Sequence, residues 1–66
     1  MIHFVFYKTN DVFLAEEKLN SINIPTEVVP TPVQDKAYCG VCVRIQDSDR
    51  EKAVRILENM EYQLVC

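Results

Sequence analysis

Glycine occurs once in these 66 residues, histidine once, tryptophan not at all, and cysteine three times. Each scarcity removes a class of function. A lone glycine, Gly40, excludes a Gly-rich loop that would cradle phosphate. Three dispersed cysteines and one histidine, His3, make a poor set for structural zinc, which usually takes four convergent ligands. An odd number of cysteines leaves at least one thiol outside any disulfide framework. Basic residues are in deficit, 7 against 10 acidic ones, and the net charge of −3 gives no basic stripe to displace counterions from nucleic-acid phosphates. No apolar run approaches the ~20 residues of a membrane helix. The opening stretch Met1 to Tyr7 has no basic n-region and no small-residue cleavage site, so no signal peptide is expected there. With an odd thiol set, that points to a reducing cytoplasm.

What is present fits one domain spanning residues 1–66. Apolar residues make up 48% and charged residues 26%, enough for a core and a solvated surface. A chain this short buries only ~60% of its unfolded surface, so its core is thin and a partner or a homodimer would supplement it.

The order of elements follows from periodicity. Ile2 to Tyr7 is short, aromatic and β-branched, a buried strand. Thr9, Asn10 and Asp11 offer capping side chains, and Val12, Ala15, Leu19 and Ile22 then recur at helical spacing to a stop near Asn23. Pro25 cannot continue that helix. Thr26 to Val29 reads as a short second strand cut off by Pro30 and Pro32, and residues 30–38 form the one long connection. Val41 to Ile45 alternates as a strand with one buried face. Asp47-Ser48-Asp49 opens a second helix with Ala53, Val54, Ile56, Leu57 and Met60 on its apolar side, and Tyr62 to Cys66 closes the chain as a strand. The order β-α-β-β-α-β is the ferredoxin-like α+β arrangement: a four-stranded antiparallel sheet, order 4-1-3-2, with two helices on one face. It brings the end of the first strand, the start of the first helix and the loop before the third strand to one edge.

Cys39 sits at that edge. Cys39 and Cys42 spell Cys-x-x-Cys, but redox and zinc versions of that motif sit on a helix N-terminus or a knuckle, and this one runs into a strand. Extended backbone separates the two Cα atoms by ~10 Å and points the side chains to opposite faces, whereas a disulfide needs Cα atoms within ~7 Å. Cys42 reads as a small apolar filler beside Arg44, and Cys66 as a terminal strand residue at the opposite edge. Cys39 differs because it ends a loop and precedes the only glycine. Gly40 would let the backbone turn sharply or another group come close. Free amides at the start of the first helix, together with Lys36, would favour a nucleophilic thiol at Cys39, with Asp11 and Asp35 opposing.

The series Ile24-Pro25, Val29-Pro30-Thr31-Pro32 and Cys39-Gly40-Val41-Cys42-Val43-Arg44 resembles the small family described as putative selenium/sulfur carrier proteins. In that family an Ile-Pro after the first helix leads to a Pro-x-Pro loop and then to Cys-Gly, and the similarity extends over nearly the whole chain. The resemblance implies a persulfide or selenopersulfide held on Cys39 and passed to a protein partner, with Gly40 and Lys36 beside it and no resident cofactor. The chain departs from the family at Val33, where an arginine is usual, at Lys36, Ala37 and Tyr38, where serines are favoured, and at Cys42, where a small residue is usual.

Other features have ordinary explanations. His3 shares the outer sheet face with Arg44, and Asp47, Asp49 and Glu51 suit the dipole at a helix start. The outer face, with Val5, Tyr7, Cys42 and Val28, reads as more apolar than a solvated face should be. The competing function is therefore a noncatalytic interaction or regulatory module using that open face. A stand-alone enzyme fits less well than a carrier or a binding protein.

Overall fold

The computed structural model describes residues 1–32 and 37–65. Strands β1 (Ile2–Phe6), β2 (Glu27–Pro30), β3 (Val41–Ile45) and β4 (Tyr62–Val65) form one sheet in the order β2-β3-β1-β4, each neighbouring pair antiparallel. Helices α1 (Thr9–Ser21) and α2 (Arg50–Ile56) complete the expected β-α-β-β-α-β order, and a 3-10 turn over Asp47–Asp49 leads into α2. Ile2, Phe4 and Phe6 alternate on β1 to face Val12, Ala15 and Leu19 of α1, Ala53 of α2 and Leu57 just after it, with Val43 and Ile45 beside them. This set is the main core. Tyr62 extends it, packing edge-on against Phe4 with ring centroids 5.0 Å apart.

The end of α1 is built by Asn23. Its φ of 64° is left-handed, a region open to asparagine at modest cost. The Asn23 amide then bonds the Asn20 carbonyl at 3.0 Å, and the Ile24 amide bonds the Leu19 carbonyl at 3.1 Å. These are the paired bonds of a Schellman motif, which satisfy carbonyls left over at a helix end. The hydrophobic contact that accompanies the motif is present, because Ile24 and Leu19 are buried in the same core. Pro25 follows and turns the chain toward β2.

Three local expectations are corrected. Thr9, Asn10 and Asp11 do not cap α1: they form its first turn, and the N-cap is Lys8, with no side-chain bond. Only Tyr7 and Lys8 separate β1 from the helix, so the helix has to begin early to return over the sheet. Pro30 lies within β2 rather than ending it, opposite Val41, and an edge strand tolerates the missing amide. With β2 set one residue later, Val28 pairs with Val43 on the helix side and Val29 pairs with Cys42 on the outer side. A one-residue step exchanges the two faces.

Replacing Asn23 tests the helix stop. Asn23→Gly should leave stability nearly unchanged, and Asn23→Val should lower it by about 1–2 kcal/mol in urea unfolding, because a β-branched side chain resists this backbone conformation.

Candidate functional site

The site grows from the end of β1. The Cys39 amide donates to the Phe6 carbonyl at 3.0 Å, which extends the β1–β3 pairing by one bond and fixes Cys39 beside the strand end. Tyr7 and Lys8 then lead straight into α1, so Cys39 and the start of the first helix share one edge, as the topology requires. The half-buried Cys39 side chain packs against the main core under the helices, and its thiol donates to the Val41 carbonyl at 2.9 Å. That bond belongs to the thiol and opens when the sulfur gives up its proton.

Thr31 holds the same segment from the other side. Its amide bonds the Gly40 carbonyl at 3.0 Å, and its hydroxyl donates to the Cys39 carbonyl at 2.8 Å. Three hydrogen bonds therefore fix the main chain of Cys39-Gly40, from two different strands' ends. Gly40 itself is under no structural demand. Its φ is not positive, and a Cβ placed on it would meet no atom within 4 Å. Neither a sharp turn nor close internal packing explains it, contrary to the expectation from sequence. What Gly40 leaves beside Cys39 is open space.

Cys42 lies on the other face, between Val5 of β1 and Val29 of β2, with no exposed surface. Burial pushes its thiol up from the ordinary range. The nearby Cys39 adds to the rise, while a hydrogen bond with Thr31 and the charge of Arg44 act against it. Both thiols are free, and the pair does not form a disulfide. Among the described residues no group of three or more His, Cys, Asp or Glu side chains could hold a metal ion.

Further along the outer face, Arg44 pairs with His3 across β1 and donates to the Glu27 carboxylate at 2.7 Å, an exposed cross-strand ion pair. Such pairs stabilise by at most ~1 kcal/mol. His3 Nδ1 meets the Val65 carbonyl at 3.3 Å, a structural contact. Lys36, expected beside the thiol, and with it Val33, Asp35 and Cys66, lies outside the described residues.

The expectation of an open apolar patch at Val5 and Cys42 is corrected too, since both are completely buried. Tyr38 lies close by on this side of the sheet. Its ring stacks on Tyr7 with centroids 4.8 Å apart, and its hydroxyl hydrogen-bonds Gln63, the β4 neighbour of Val5 on this face. Sequence reading missed Tyr38, Gln63 and Thr31. Tyr38 and Thr31 sit in a connection without a hydrophobic period, and Gln63 reads as an ordinary polar residue on an edge strand.

A family model described as putative Se/S carrier protein-like matches residues 2–64. No curated protein and no solved structure shows a significant match.

Two measurements test the local account. Gly40→Ala should keep the fold and gain about 0.4–1 kcal/mol, because alanine fits the backbone and restricts the unfolded chain. The raised Cys42 thiol has a signed consequence. Its contribution is fully present below the unfolded thiol's range of about 8.5 and is lost as pH rises toward the folded value, because the unfolded chain ionises first. The loss of stability on raising pH from 7 to 10 should therefore be smaller in Cys42→Val than in the wild type, read from urea midpoints.

Proposed function

We propose that this chain, which belongs to the putative Se/S carrier protein-like family, holds a persulfide or selenopersulfide on Cys39 and delivers it to a partner protein of sulfur or selenium metabolism. The observation that carries the reading is the placement of Cys39. Its backbone is fixed by bonds to Phe6 and Thr31, its side chain is only half-buried, and the residue after it leaves open space. A carrier needs a thiol held in one place and reachable from outside, and the fixed backbone and partial exposure of Cys39 support that reading.

The chemistry balances without a resident cofactor. The Cys39 thiol loses its proton to solvent, and the thiolate attacks the outer sulfur of a donor persulfide. A bond forms between Cys39 Sγ and that sulfur, the donor's sulfur–sulfur bond breaks, and the donor leaves as a thiolate. Delivery is the same exchange with an acceptor thiolate. Lys36 and Gly40 are proposed to border the loaded sulfur. The reaction suits the reducing cytoplasm, where a lone thiol stays reduced. No described helix is long and apolar enough to cross a membrane, and the partner is a protein rather than a nucleic acid.

The second reading is a noncatalytic interaction module, which the exposed Phe13 and Leu14 favour, since large apolar side chains at a surface mark contact sites. It moves the contact surface from the sheet face to the α1 side, and a homodimer formed there would also enlarge the thin core.

Cys39→Ser separates the two readings. After incubation with a cysteine desulfurase and cysteine, the wild type should gain the mass of one sulfur and Cys39→Ser should gain none, with both proteins folded by circular dichroism. Equal uptake by the variant would remove the carrier reading. A protein whose partner binding survives Cys39→Ser unchanged, with no sulfur uptake in either form, is the interaction module.

A further inference from the structure

The chain carries two thiols three residues apart, and only one suits a carrier. A reachable Cys42 would be a second acceptor for the same donor, so the load would be divided between two sites. Cys42 has no exposed surface although it lies on the sheet face that bears no helix. On that face β1 contributes Val5, flanked by Cys42 on β3 and Gln63 on β4. Val5 is completely buried as well. A sheet face without a covering layer does not bury valine and cysteine completely, so part of the chain has to lie over them.

Tyr38 is placed to do so. It precedes Cys39, whose amide is fixed at the end of β1, and its hydroxyl reaches Gln63, on the far side of Val5 from Cys42. The side chain therefore crosses the outer face of β1. Tyr7 stacks on the ring at 4.8 Å and holds it down from one side. Neighbouring side chains on a sheet face stand ~5 Å apart, so a tyrosine ring anchored at both ends covers the positions around Val5.

We propose that Tyr38 is a positioning residue that seals Cys42 beneath the outer face and leaves Cys39 as the one reachable thiol of the Cys-x-x-Cys pair. The raised position of the Cys42 thiol agrees with a sealed site. The consequence for sulfur loading rests on the carrier reading of Cys39, whereas the sealing of Cys42 does not.

The test is residue-resolved alkylation of the folded protein with N-ethylmaleimide, read from cysteine-containing peptides. In the wild type, Cys39 should be labelled and Cys42 protected until denaturant is added. Tyr38→Ala should speed Cys42 labelling at least tenfold, and Tyr38→Phe, which keeps the ring and the stack, should restore protection. A folded Tyr38→Ala with Cys42 still protected overturns the proposal, as does a Tyr38→Phe that exposes Cys42 equally. If Tyr38→Ala does not fold, Tyr7→Ala and Gln63→Ala remove the two anchors at exposed positions. Faster Cys42 labelling in either supports the seal, and no change in both overturns it. Because no sulfur donor is involved, a wild type that takes up no sulfur while Cys42 stays protected defeats the carrier reading and leaves the seal standing.

Discussion

Everything in this domain is built on β1. Its five residues have both edges paired, with β3 on one side and β4 on the other. Both faces are covered: Phe4 and Phe6 point into the helices, and Val5 is buried on the reverse side. Backbone groups so enclosed must find their partners in the sheet, since an unpaired buried amide or carbonyl costs as much as a lost hydrogen bond. The last of these partners is Cys39, whose amide takes up the Phe6 carbonyl. The candidate nucleophile is thus one more link in the ladder that holds the sheet together. Its position is set by the most constrained element of the fold.

The same constraint explains how Cys39 and Cys42 differ. They are close in sequence, yet the step from one to the other crosses the sheet from the helix side to the outer side. Cys39 stands at the strand's entrance, where packing is incomplete and Gly40 adds no side chain. Cys42 stands three residues further in, where Val5 and Val29 flank it. Burial pushes that thiol up from its ordinary range. The motif that looks like a dithiol in one dimension is two unrelated sites in three.

Legibility from sequence varied with how much periodic pattern each element carried. β3 was read to the residue, because Val41-Cys42-Val43-Arg44-Ile45 alternates cleanly and one face must be buried. The sheet order and the meeting of Cys39 with the start of α1 followed from topology. The start of α1 was misplaced because three good capping residues stand in a row, while the short link after β1 decides the matter. β2 was misplaced by one residue because proline was read as a stop, although an edge strand can include it. The observed register puts Val28 on the helix side instead of the outer face. The cover over Val5 was invisible, because one tyrosine in an aperiodic loop, bonded to a glutamine 25 residues later, leaves no local pattern. Gly40 stands out in the sequence as the lone glycine, yet its φ is not positive and a Cβ on it would meet no atom within 4 Å, so the backbone does not require glycine there.

The central claim is that sulfur is held at one place, on Cys39. Peptide mapping by mass spectrometry of the wild-type protein, after loading by a cysteine desulfurase under native conditions, tests it most directly. The account predicts one added sulfur, on the peptide containing Cys39 and removed by prior alkylation of that residue. An added sulfur on Cys42 or Cys66, or none on Cys39, would contradict it.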